Sequence, residues 1–353
     1  MPEQTPKSIT ICIPSSVIAP SNCRSQQQAA STVHQISEAA TLYGVHDIII
    51  YNVDYEEVEK FSFKPESEEK PEVKTTTNTN AGAAKDLKPK KLVFGDEPLP
   101  KKVVFGEEEV KSESKSPVVE EKTTSTDRLV NLLNYFVTPP NLRKTLFGDL
   151  KPFEAAKKLP KLINFSNSKY TIGVGASSGK IEKKSSSKKK DSNKTKLVNI
   201  GLKEVLELSK DKVQINSRVV VDPTSKKVVT SSDDEEAGRL LGYTVSVAND
   251  LNEILGNKKS SKLWVPCDDF LASKSTAEIT KAALQNIETV TDPASLKENV
   301  FLVFGKWKEI IFSVEEQPEN KTVEELFYGR VRSIKDARVE DAVLIALSKL
   351  QAA

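Results

Sequence analysis

The chain has 353 residues, room for two domains of ordinary size, but 37% hydrophobic content is low against 29% charged residues, so part of it is expected not to fold by itself. Net charge is only +2, with three cysteines (Cys12, Cys23, Cys267) and two histidines (His34, His46) that make no CxxC pair and no ligand spacing. This argues against a structural zinc site and fits a reducing compartment. No apolar run approaches the ~20 residues a membrane helix needs, and Pro14 with Ser15-Ser16 interrupts the weakly signal-like stretch Ser8–Ala19. The expectation is a soluble, intracellular protein with no membrane segment and no metal.

Ser8–Ile13 (SITICI) predicts a β-strand, and after Pro14 and Pro20, Ser21 or Asn22 would cap a helix from about Cys23 to Tyr43. Ala29, Val33, Ile36, Ala40 and Tyr43 share one face of it and Gly44 stops it. Asp47–Asn52 (DIIIYN) is a second buried strand, so the chain opens with a βαβ unit and a parallel sheet. These residues, 1–55, form the first part of the main domain. Residues 56–125 are rich in Lys, Glu, Pro, Thr and Asn and net acidic, a composition that predicts a disordered insertion. Within it KKLVFG at Lys90–Gly95 recurs as KKVVFG at Lys101–Gly106. These are either β-prone peptides that add a strand to a partner's sheet or a duplication in a drifting linker.

Residues 126–148 return to helical stripes (Leu129, Leu132, Leu133, Phe136; Leu142, Leu146) broken at Pro139-Pro140. Residues 149–235 hold short strands at Lys169–Val174, Leu197–Ile200, Lys212–Asp222 and Lys226–Thr230, with Pro223 in a hairpin turn, the pattern of a small OB-like β-barrel. Its loop Lys180–Lys196 is Ser and Lys in near alternation. From residue 236 to 353 the α/β rhythm resumes: strand Leu241–Val247, helix Asn249–Leu255 capped by Asn249 or Asp250, strand Lys262–Val265, helix Ser275–Ile287. Val300–Phe304 is apolar on both faces, an interior strand of a parallel sheet, and Gly305 at its carboxyl end would let backbone approach a ligand. Val339–Leu350 is a helix apolar over most of its girth, to be buried against the sheet or a second subunit.

With these elements assembled, the chain resembles the SPOUT (α/β-knot) RNA methyltransferases, in particular a uridine-methylating subfamily with an inserted OB-like domain. The likeness is carried by DIIIYN, LLNYFVTPPNLRKTLF at Leu132–Phe147, AGRLLGYTVSVANDLNEIL at Ala237–Leu255, FLVFGKW at Phe301–Trp307 and ARVEDAVLIALSKL at Ala337–Leu350. It implies an α/β fold with a trefoil-knotted parallel sheet and three knot loops that hold S-adenosylmethionine. It also implies a dimer, a homodimer or a heterodimer with a paralogue. The cofactor residues it points to are Pro266, Cys267 and Asp268 in the first loop. In the second they are Phe304, Gly305, Lys306 and Trp307, and in the third Arg332, Ser333 and Arg338.

The chain departs from the family where chemistry is expected. Pro266, Cys267, Asp268, Asp269 and Phe270 stand where the family has Gly-Thr-Ser followed by Arg-Gly. Lys306 and Glu309 occupy glycine positions of the second loop, and Ile334 to Ala337 do not fit the third, whereas Arg338, Glu340 and Asp341 do. Leaving one buried ligand group unpaired costs about 1–3 kcal/mol. Two such losses would move a micromolar ligand toward millimolar. The cofactor site is therefore expected to be degenerate, and no catalytic residue is named. Cys267 has no histidine placed to activate it, while Asp268-Asp269 with Glu309 form either a general-base cluster or helix caps.

RNA contacts are expected from Lys180, Lys183, Lys184, Lys188, Lys189, Lys190, Lys194 and Lys196, a phosphate-binding arm or a nuclear or nucleolar address. Lys306 and Lys308 flank Trp307, which would either stack on a base or plug the core. Two functions stand at this point: S-adenosylmethionine-dependent methylation of ribosomal or precursor RNA during ribosome biogenesis, or a non-catalytic assembly factor that keeps the fold as a binding platform. The repeated hexamers would engage pre-ribosomal proteins.

Overall fold

A computed structural model describes residues 8–53, 58, 124–148, 151–162, 169–176, 193–202, 205–230, 233–256, 259–267, 274–292, 295–297, 299–314, 322–334 and 337–351. Contacts divide the chain into two units, Met1–Phe63 with Thr123–Ala353 and Lys64–Lys122. All described residues belong to the first. Nearly all of the acidic insertion, with both hexamers, lies outside them, as do most of the lysine loop and Asp268.

Strand β1 (Ser8–Pro14) runs into a short 3-10 turn, Ser15–Ile18, and helix α1 spans Gln26–Leu42. The helix starts later than expected because Ser25, not Ser21 or Asn22, caps it, its hydroxyl accepting the Gln28 N–H at 3.1 Å. Strand β2 (Asp47–Tyr51) pairs parallel with β1, Ile11 opposite Ile48, as the βαβ opening requires. Helix α2 (Ser125–Val137) begins at a Thr124–Asp127 capping box, and α3 (Pro140–Phe147) carries Pro at its first position. A four-residue α4 (Glu154–Lys157) follows.

The inserted segment contributes β3 (Thr171–Gly175), β4 (Lys194–Thr195), β5 (Leu197–Asn199), β6 (Leu206–Glu207), β7 (Val213–Gln214), β8 (Arg218–Asp222) and β9 (Lys227–Val229). They form an antiparallel sheet in the order β6-β5-β3-β8-β9 and a separate β4-β7 pair. The strand expected over Lys212–Asp222 is two strands, because Asn216 sits at φ +63 and breaks the ladder between them.

The chain then returns through α5 (Glu235–Leu241), β10 (Thr244–Ala248), α6 (Leu251–Leu255, capped by Asp250) and β11 (Ser261–Pro266). It ends with α7 (Lys274–Asn286), β12 (Asn299–Gly305), α8 (Trp307–Phe312), β13 (Gly329–Arg330) and α9 (Val339–Gln351). The strand expected from Leu241 begins at Thr244, since Leu241 closes α5, Gly242 at φ +70 ends that helix and Tyr243 is buried.

Six strands make one parallel sheet in the order β10-β2-β1-β12-β11-β13. Side chains alternate across it. Ile9, Ile11, Ile13, Leu263, Val265, Val300, Leu302 and Phe304 join a core with α1, α2 and α9, while Cys12, Trp264 and Val303 join a second core with α6, α7 and α8. Both faces are covered, which is why β12 reads as an unbroken apolar run. The final helix buries Ala342, Val343, Ala346, Leu347 and Leu350, mostly against α1.

Candidate functional site

In a parallel sheet with helices on both faces, the crevice beyond the carboxyl ends of the strands is the usual ligand position. Here β1, β12 and β11 lie side by side, with Pro266 of β11 opposite Gly305 of β12. A pocket opens beyond these ends, with about 600 Å³ of empty space counting its open mouth. One wall comes from the segment after β1 and from α1: Ser16, Val17, Ser21, Asn22, Cys23 and Thr32. The other comes from the turns after β11 and β12 and from the start of α9: Cys267, Lys306, Glu309, Arg338, Val339 and Glu340.

The β12 turn is held from several sides. Tyr51, fully buried on β2, donates its hydroxyl to the Phe304 carbonyl at 2.6 Å. The Gly305 carbonyl accepts the Trp264 indole N–H at 3.3 Å and the Cys267 N–H at 3.4 Å, which ties the first two loops together. Gly305 itself sits at φ +151, and a Cβ there would come within 2.2 Å of the Tyr51 hydroxyl oxygen. The glycine expected to admit a ligand admits a tyrosine of the same chain.

Glu309 is only 3% exposed. One of its oxygens accepts the Ser16 hydroxyl at 2.7 Å and the other the Lys306 N–H at 3.2 Å. Burial, with the Glu309 charge adding, holds the Tyr51 hydroxyl well above the usual phenol range. Burial also pushes the Cys267 thiol up, reinforced by Glu309 and Glu340, which disfavours the thiolate a nucleophile needs. Its S–H faces the Val265 carbonyl at 3.5 Å. The Glu340 carboxyl is raised mainly by burial and less by Asp341, with Arg338 4.0 Å away opposing the shift.

Of the expected cofactor residues, Cys267, Lys306 and Arg338 line this one pocket although they come from three separate loops. Pro266 ends β11 and Gly305 ends β12, and neither lines the pocket. Phe304 is wholly buried and Trp307 is 1% exposed. The core-plug alternative therefore describes Trp307, whose ring lies 4.6 Å from that of Trp264 with no face open to a base. Arg332 and Ser333 are in the third loop but do not line the pocket; the Arg332 carbonyl accepts from Lys349. Among the expected RNA contacts, Lys194 and Lys196 are exposed and Lys306 and Lys308 half-buried, while Lys180, Lys183, Lys184, Lys188, Lys189 and Lys190 lie outside the described residues. No sequence motif marks the wall formed by Ser16, Val17, Ser21, Asn22, Cys23 and Thr32. The one signal for it was its position directly after the first parallel strand.

Fold and pocket together define an α/β protein with a ligand crevice at a parallel sheet's carboxyl edge. The family comparison narrows that class: residues 8–350 match the model of the family described as "Putative RNA methyltransferase". The chain belongs to that family, within the SPOUT group. It is 27% identical over 364 aligned positions to "Putative methyltransferase YGR283C" of Saccharomyces cerevisiae, covering 97% of this chain and 87% of the yeast protein. To "Putative methyltransferase YMR310C" of the same organism it is 22% identical, covering 84% of this chain and 77% of that one.

Proposed function

We propose that the protein is an RNA methyltransferase of the SPOUT class that binds S-adenosylmethionine in the pocket between α1, the β11 and β12 turns and α9. The observation that carries this reading is the meeting of Cys267, Lys306 and Arg338, from three loops far apart in sequence, in one crevice of a family member. The donor set suits the cofactor. Lys306 and Arg338 match its carboxylate, Glu309 and Glu340 its positive groups, and the hydroxyls of Ser16, Ser21 and Thr32 its ribose. When bound, the cofactor supplies an electrophilic methyl group. The chain has only to place an RNA base in line and take a proton from it. Glu340, a carboxyl with raised proton affinity at the pocket, is the group suited to that proton.

The trefoil knot belongs to this proposal. Its support is that the chain crosses beyond β11 to reach β13 at the sheet edge and then returns, α9 packing on α1, β11 and β12. An OB-like character for the five-stranded antiparallel insertion is proposed on its strand order. Ribosomal or precursor RNA as substrate, a role in ribosome biogenesis and a nuclear or nucleolar location rest on the lysine loop. Dimerisation rests on the family resemblance, and the hexamers at Lys90–Gly95 and Lys101–Gly106 are proposed contacts for pre-ribosomal proteins.

Isothermal titration with S-adenosylmethionine tests the reading: saturable micromolar binding supports it, and silence up to millimolar overturns it. A second reading, an assembly factor without catalysis, is favoured by one feature. The space beneath Gly305 is filled by the Tyr51 hydroxyl, and Lys306 and Glu309 stand where the family has glycine, a degenerate version of the loop. The silent outcome is the one that reading expects.

A further inference from the structure

The second loop carries a carboxylate where the family pattern has glycine, and the fold makes that carboxylate a fixture. Glu309 lies on the first turn of α8, 3% exposed, each oxygen anchored by a hydrogen bond, one from Ser16 beyond β1 and one from the Lys306 backbone. It lines the pocket together with Cys267 and Glu340, and the Cys267 thiol, raised mainly by burial, is raised further by both carboxylates. Two carboxylates thus line one pocket, and Lys306 and Arg338 supply positive charge in the same lining.

A fixed negative charge out of bulk water acts strongly on a cation and hardly at all on a neutral group of the same shape. S-adenosylmethionine and S-adenosylhomocysteine differ in this respect. The first carries a sulfonium, the second a neutral thioether, and both keep the same amino-acid and adenosine ends. Building on the cofactor reading above, we infer that Glu309, with Glu340, makes this pocket select the sulfonium over the thioether. The cofactor's carboxylate falls to Lys306 and Arg338. The consequence for turnover is that loss of the methyl group removes the charge that Glu309 holds, so the product leaves readily.

The test is a set of calorimetric titrations of the full chain with S-adenosylmethionine, S-adenosylhomocysteine and sinefungin, whose amine restores a cation at the same place. The expected result is that the two cationic ligands bind about tenfold tighter than the thioether, a ratio worth ~1.4 kcal/mol. In Glu309→Gln, which keeps an acceptor for Ser16, the gap between the cationic ligands and the thioether should shrink to roughly threefold or less. Equal or tighter binding of the thioether by the wild-type chain would overturn the inference while leaving the cofactor reading intact. That comparison needs no variant, so it decides the matter even if the substitution unfolds the protein. Silence toward all three ligands would overturn both.

Discussion

Gly305 and Tyr51 form a pair in which each explains the other. The glycine is at φ +151, where a Cβ is strained, and the Tyr51 hydroxyl occupies the volume a Cβ would need. Gly305→Ala is expected to destabilise the protein by about 2–4 kcal/mol, combining backbone strain with overpacking. In a Tyr51→Phe background the clash goes but the strain stays, so denaturant titrations of the four proteins should show a coupling of about 1 kcal/mol or more; strict additivity would refute the pairing. Glu340 makes a pH prediction. Its carboxyl is raised in the folded state, so the stability it contributes is fully present below the unfolded value of about 4.3 and is lost as pH rises through the folded one. Glu340→Gln should therefore melt higher than wild type at neutral pH, the difference vanishing near pH 4. A variant that melts lower at neutral pH would show Arg338 outweighing burial.

Among the elements, β8 is one place where the inserted sheet is fastened to the rest, through Arg218. Its guanidinium donates to the Val137 and Leu241 carbonyls at 3.3 and 3.2 Å and to the Tyr243 carbonyl at 2.8 Å. Val137 ends α2 and Leu241 ends α5, so the cation meets unsatisfied carbonyls at the negative ends of two helices. Arg218→Met would orphan all three carbonyls, and a loss of about 3 kcal/mol or more is expected from equilibrium unfolding. Nothing in the sequence marks Arg218, because its partners lie 81, 23 and 25 residues away. By contrast β12 and α9 are legible, since burial on both faces leaves an unbroken apolar run and burial over most of a helix leaves adjacent apolar residues. The same divide runs through the pocket. Cys267, Lys306 and Arg338 could be placed by resemblance to the family's loops. Ser16 could not, because its bond to Glu309 spans 293 residues and depends on β1 lying beside β12.

For the whole molecule, a net charge of +2 hides a strong local asymmetry: residues 180–196 hold eight lysines against two acids. If RNA is the substrate, this loop supplies the sequence-independent part of the affinity, and the pocket supplies the choice of base. Each phosphate contact releases counterions, so log affinity should fall with log salt by about 0.7 per contact on single strands and about 0.9 on duplexes. With roughly six of the lysines engaged, replacing all eight by serine should lower the slope's magnitude by about 4–5. Exposed Lys194 and Lys196 take no part in the core, so the melting temperature should hold. S-adenosylmethionine affinity should hold as well, because Lys306 and Arg338 stay in place. An unchanged slope would move the RNA surface elsewhere on the protein, and a loss of cofactor binding in the same variant would mean that loop and pocket are one site.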